Sequence, residues 1–218
     1  MGFLVDENHR WINLILPEKL GKDILDWADS RGIKGDNVAA VSGTRNENVL
    51  KFLGISQSQS QWLLLTASEE LETEIYDRFC MECLSNPSSH GIAFTIPFIV
   101  NSELIKEKGI EFSNEENVNY LALFIIVSSG NGAKVMEMAQ LQGAKGGSII
   151  NNRVSGEHEK LNYFNIELNH DKEIVLIIDK KDRIHEIYNY LENEYYGSKL
   201  SAGKMFSVPV TRTAGIRE

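Results

Sequence analysis

Residues able to do acid–base, nucleophilic or metal chemistry are few and scattered in this chain. The five histidines are His9, His90, His158, His170 and His185. His158 lies in GEHEK between two glutamates. Neighbours at i−1 and i+1 point to opposite sides of an extended strand, so the string does not define a metal cluster. His185, between Ile184 and Glu186, reads as a solvated helix residue. Cys80 and Cys83 form CMEC, and spacing of this kind shares one helix face. Zinc needs about four ligands, and no second Cys pair or nearby His pair completes a set. A redox CxxC opens a helix, whereas this pair falls late in an amphipathic stretch and reads as two small buried residues. No nucleophile, base and orienting group assemble, so neither an enzyme nor a metal site is expected.

Two glycine-bearing strings remain. GSKLSAGK at 197–204 combines Gly203 with Lys199 and Lys204. Backbone N–H groups freed by glycine, together with an ammonium, can hold an anion. SGNG at 129–132 precedes a helical stretch and reads either as an anion seat at a helix N-terminus or as a tight turn. It lacks the third glycine and the acidic residue at ribose distance that a dinucleotide fold requires.

The elements that would position these groups occur twice. Moving back by 111 takes Gly143 to Gly32, Gly146 to Gly35, Val135 to Ile24 and Ala139 to Ala28. Moving back by 112 takes Phe164 to Phe52, Gly203 to Gly91, Phe206 to Phe94 and Pro209 to Pro97. The matches fall in order at positions that set backbone geometry, which marks a tandem repeat. In the second copy YLALFIIV (120–127) is a buried strand, and a helix runs to about Gln142. Gly143 can take the left-handed conformation past that helix. SIINN (148–152) and KEIVLII (172–178) are further strands, with a polar segment between them. Asp179 is a candidate N-cap for a helix carrying Ile184, Ile187, Tyr188, Leu191 and Tyr195 on one face. KMFSVPV (204–210) closes the unit, and its Pro209 is expected at a strand end or on an edge. The first copy gives WINLILP, a helix from Glu18 to Arg31, NVAAVS, SQWLLLTA, a helix from about Glu69 to Leu84, and GIAFTIP. The expected fold is therefore α+β, two tandem ferredoxin-like βαββαβ units at 9–100 and 119–218 joined by a linker at 101–118.

Composition agrees with a folded chain and narrows the partners. The 218 residues suit two small domains, and 42% hydrophobic content supports packed cores. A net charge of −9 gives no global attraction for nucleic acid or anionic membrane. Asp6 stands where a myristoylation motif has Ser or Thr, and the N-terminus carries no signal-like apolar stretch. No run approaches the ~20 apolar residues of a membrane span, so a cytoplasmic location is expected.

The strings GNGAKVMEMAQLQGAKGGSII, YFNIELNHDKEIVLIIDKKDRI and GKMFSVPVTRTAGI resemble the PII nitrogen-regulatory signalling family, in its divergent PII-like branch. The resemblance covers the second copy densely and the first thinly. It implies a non-enzymatic regulator that oligomerises, binds adenine nucleotide and docks on a transporter or enzyme through a long loop after the second strand. On this chain the docking loop falls at 153–170, with Arg153, Glu157, Tyr163 and Phe164 as contact candidates. A plain hairpin connection with its two aromatics on the sheet is the other reading of that segment. The implied anion site comprises Lys199, Gly203, Lys204 and Arg212, with ATP, ADP or AMP as regulatory ligand and no cofactor. Ser201 and Ala202 depart from the Gly and Asp of nucleotide-binding members, Ile92 replaces the lysine in the first copy, and the spacing of Arg212 and Arg217 departs from the family's. A structural or assembly module without a ligand, or a small metal-handling protein, are the alternatives on this fold. The apolar sheets are expected to be covered in a homo-oligomer.

Overall fold

A computed structural model describes residues 5–43, 60–84, 91–99, 118–151, 161–163, 166–168, 172–196 and 204–216. The chain divides into two compact units. The first comprises Met1–Ala39, Ser58–Glu107 and Val210–Glu218, and the second Ala40–Gln57 and Lys108–Pro209. The C-terminal segment therefore counts with the first unit, although it follows the last strand of the second.

In the first unit β1 (Val5–Pro17) leads into α1 (Glu18–Ser30), β2 (Lys34–Gly43), β3 (Ser60–Ser68), α2 (Glu69–Phe79) and β4 (Ile92–Ile99). The strand order is β2-β3-β1-β4, extended at the β4 edge by a short β11 (Arg212–Ala214). Alternation on β1 sends Ile12, Leu14 and Leu16 to one face, where they pack with Leu63 and Leu65 of β3, Ile24 and Ala28 of α1, and Ile75 and Phe79 of α2. Burying one such aliphatic side chain stabilises by roughly 1.5–3 kcal/mol.

The second unit repeats the plan with β5 (Tyr120–Ser128), α3 (Gly132–Leu141), β6 (Ser148–Asn151), β9 (Lys172–Lys180), α4 (Lys181–Leu191) and β10 (Lys204–Val210). Its order is β10-β5-β9-β6, and Ala40–Gly43, which count with this unit, pair with β6. Leu121, Leu123, Ile125 and Val127 of β5 meet Val135 and Ala139 of α3 and Ile184, Ile187 and Leu191 of α4. Central strands joined by helices in this order make each unit a ferredoxin-like βαββαβ fold. Pro209 lies one residue from the end of β10, which stands last in the strand order among the described residues.

The pairing registers carry the repeat further than residue identity does. Asn13 faces Leu64 in the first unit, and Phe124 faces Leu176 in the second. Moving β1 by 111 and β3 by 112 lays the whole of one ladder on the other, from His9↔Ser68 on Tyr120↔Lys180 to Pro17↔Ser60 on Ser128↔Lys172. The first helix of each unit also ends alike. Gly32 and Gly143 adopt φ of 72° and 88°. Gly32 N–H donates to Asp29 O and Ile33 N–H to Ala28 O; Gly143 N–H donates to Gln140 O and Ala144 N–H to Ala139 O. This is the Schellman arrangement, and only glycine takes that conformation without a steric penalty. Both second helices close on a π turn, Cys80–Leu84 and Glu192–Tyr196, again 112 apart.

One expected element boundary is corrected. Asp179 is not a helix cap: β9 continues through Lys180, with Asp179 paired to Leu121, and α4 begins at Lys181. The ladder to β5 satisfies that backbone, and Lys181 N–H donates to Asn119 O at 3.0 Å. The Asp179 carboxylate instead accepts from Lys180 N–H at 2.7 Å.

Candidate functional site

Of the anion-site residues read from sequence, Lys204 opens β10 and is exposed. Lys199 and Gly203 lie outside the described residues. Arg212 is on β11, which counts with the first unit, whereas Lys204 counts with the second. The Arg212 guanidinium lies 4.2 Å from the Tyr76 ring centroid, and its Nη1 donates to Thr73 Oγ1 at 3.2 Å. That arginine is engaged inside its own unit.

The docking-loop segment carries a small hairpin of its own. β7 (Leu161–Tyr163) and β8 (Ile166–Leu168) pair as Leu161↔Leu168, Asn162↔Glu167 and Tyr163↔Ile166, and form a two-stranded sheet separate from the main one. Arg153, Glu157 and Phe164 lie outside the described residues.

The SGNG string resolves into a turn with a carboxylate at the helix start. Gly130 takes φ of 89°, and Asn131 N–H donates to Ser128 O. Gly132 N–H, at the first position of α3, donates to Glu173 Oε2 at 2.9 Å, and Ser129 Oγ donates to Glu173 Oε1 at 3.4 Å. A Cβ on Gly132 would lie 2.7 Å from that carboxylate. The positive end of α3 thus faces an anion supplied by the chain itself. In the first unit Gln61 stands over Gly21 in the same way, with no room for a Cβ there, and its Nε2 donates to Glu18 O at 3.3 Å.

The densest buried polar cluster was not singled out by the sequence. Thr95, fully buried on β4, donates from Oγ1 to Glu72 Oε1 of α2 at 2.7 Å. Tyr76 Oη lies 3.0 Å from Thr95 Oγ1 and donates to Arg212 O at 3.0 Å. Burial, the largest cause, raises the Tyr76 phenol above its ordinary 10.0, and the nearby Glu72 charge adds to the rise; the Thr95 hydrogen bond and Arg212 oppose it. A second buried pair joins Asn13 Oδ1 to Trp62 Nε1 at 3.0 Å, with Asn13 Nδ2 donating to Trp11 O at 3.2 Å. Glu72 was the available signal. It shares the spacing of Ile75, Tyr76 and Phe79, so a charged residue sits on the stripe that must be buried.

Among the described residues no group of three His, Cys, Asp or Glu is placed to hold a metal. His9 and His185 are exposed, Cys83 is buried and Cys80 partly so. Among the same residues no helix is long and apolar enough to cross a membrane.

No family model and no curated protein matches the chain. Among solved structures it is similar to the ligand-free regulatory subunit of aspartate kinase from Thermus thermophilus, at 15% identity over 88% of this chain and 97% of that one, with a TM-score of 0.28. A microcompartment protein from Desulfitobacterium hafniense aligns at 9% identity over 93% and 96%, with a TM-score of 0.29. A heme-binding protein from Thermus thermophilus aligns at 9% over 94% and 91%, with a TM-score of 0.27. Superpositions this loose carry no functional weight. The class rests on strand order and register, and it is a tandem pair of ferredoxin-like units.

Proposed function

We propose that this chain is a non-enzymatic regulatory protein of PII-like type, working in the cytoplasm. In this reading it binds a small anionic ligand, an adenine nucleotide, beside Gly203 and Lys204 of the second unit. It acts on a transporter or enzyme through the segment 153–170. The observation that carries the reading is the β7–β8 hairpin, which among the described residues forms its own two-stranded sheet and lies in the connection between β6 and β9. A separate hairpin on a long connection suits contact with a partner. Exposed Lys204 at the start of β10 supports the ligand half, since its ammonium is open to solvent.

Arg212 favours a second reading, a ligand-free assembly module, because its guanidinium is engaged by Tyr76 and Thr73. Calorimetry with ATP, ADP and AMP separates the two. The regulatory reading expects saturable binding that Lys204→Ala weakens by roughly ten- to a hundred-fold, the cost of one ammonium–phosphate contact. Binding that Lys204→Ala leaves unchanged refutes this site. Silence toward all three nucleotides favours the module.

A further inference from the structure

β11 is held by more than a backbone ladder. Its register against β4 runs Arg212↔Thr95, Thr213↔Phe94 and Ala214↔Ala93. Thr211 N–H and Thr211 Oγ1 both donate to Thr95 O, at 3.0 and 3.4 Å. The Tyr76 hydroxyl donates to Arg212 O, the Tyr76 ring faces the Arg212 guanidinium, and Thr73 Oγ1 accepts from Arg212 Nη1. Main-chain bonds along an edge give affinity to any extended segment, and side-chain contacts select which one. Here the selected side chains are a threonine followed by an arginine. A planar guanidinium covers an aromatic face better than an ammonium does, and a neutral side chain gains nothing from the ring's charge distribution.

The connection to this strand is short. Only Thr211, which is exposed, separates the end of β10 at Val210 from the start of β11 at Arg212. The segment nevertheless counts with the first unit, while the residues up to Pro209 count with the second. An element joined through a very short connection is the kind that identical chains exchange. We propose that α2 and β4 of the first unit form a receptor for an extended Thr-Arg strand, and that its occupant, besides the chain's own β11, is the C-terminal strand of a second copy of this chain. This does not depend on nucleotide binding.

The receptor is tested on full-length chain carrying Thr211→Pro and Arg212→Ala, which removes the N–H donor and the guanidinium of the resident strand. The probe is a fluorescein-labelled synthetic peptide of residues 208–216, VPVTRTAGI. Saturable binding is expected, weakened about tenfold when alanine replaces the arginine of the peptide, and about fivefold when Tyr76→Phe is added to the chain. No binding to a variant that still melts cooperatively overturns the receptor. Equal binding of the two peptides overturns arginine recognition. Exchange between copies is read separately and needs no emptied receptor. Full-length Ala93→Cys and Ala214→Cys chains, refolded together and oxidised with a disulfide reagent, are expected to give a disulfide-joined heterodimer, because these positions face each other. A mixture yielding no more linked dimer than either variant alone overturns the exchange.

Discussion

The two units share one ladder register and one way of ending their first helix, yet they bury different chemistry. Where the second unit places Ile184 in its core, the first places Glu72. Thr95 corresponds to Ser207, Asn13 to Phe124 and Trp62 to Ile174 at the repeat shifts. In the second unit Phe124 stacks on Phe206 with centroids 5.2 Å apart. In the first, Asn13 accepts from Trp62, and Glu72, Thr95 and Tyr76 lie together in one buried polar cluster in which Thr95 donates to Glu72. The backbone plan is thus set by glycines and apolar alternation, and tolerates either filling. The polar filling stands in the unit that receives β11. A two-residue slip of a strand leaves the same residues facing the same side, so apolar contact alone discriminates register weakly. Tyr76 donating to Arg212 O and Thr95 O accepting from Thr211 discriminate it strongly.

The sharpest test of that contrast removes one hydroxyl from each unit. Thr95→Val is expected to destabilise by about 2–3 kcal/mol, since it takes the hydroxyl donor from the buried Glu72 and puts a methyl beside the buried Tyr76 hydroxyl. Ser207→Ala, its counterpart, should stay within about 0.5 kcal/mol, because Ser207 is only partly buried and among the described residues belongs to no such cluster. Urea melts of the two variants check the difference, and equal losses would remove the polar cluster as a distinguishing feature.

A smaller effect should appear in both units. Gly32→Ala and Gly143→Ala each force alanine into positive φ and should cost about 1–2 kcal/mol. Gly143→Ala also displaces Arg183, which donates to Gly143 O at 3.3 Å, whereas nothing lies within 4 Å of a Cβ at Gly32. Thermal melts of both variants measure this, and a cost confined to one glycine would break the equivalence of the two helix ends.

The smallest effect appears only in base. The Tyr76 pKa is raised in the folded chain, so the unfolded chain ionises first, near 10, and binds fewer protons above that point. The stability associated with neutral Tyr76 is present below pH 10 and declines above it. Tyr76→Phe should flatten that decline when denaturant melts are compared between pH 9 and about pH 11. Tyr188 is the corresponding residue of the second unit, and burial followed by the Glu192 charge raises it in the same direction. Tyr188→Phe is expected to change the slope less, since Tyr188 is only partly buried. A larger change from Tyr188→Phe would reverse the contrast.

What sequence disclosed follows from the range of the forces involved. Gly32, Gly143 and the alternating strands were legible because glycine geometry and apolar periodicity act over a few residues. Lys204 was readable as the start of β10 for the same reason. The strand extension through Asp179 and Lys180 was not, because the ladder to β5 overrode a good local capping residue. β11 was missed altogether. Arg212 meets Tyr76 across 136 positions of sequence, and no local pattern encodes that meeting. Glu72 gave a local hint by standing on an apolar stripe, but its partner Thr95 looked like one polar residue in an apolar closing strand.

The π turns show the repeat where residue identity does not. Both second helices finish on one at the same place, Cys80–Leu84 and Glu192–Tyr196, with unrelated residues filling it. A π turn is one of the ways a helix C-terminus ends, so the way the chain leaves the helix is shared by the two units without a shared sequence. The shift changes from 111 to 112 between about residues 146 and 164, so the second copy is one residue longer there, in the stretch that leads into the β7–β8 hairpin.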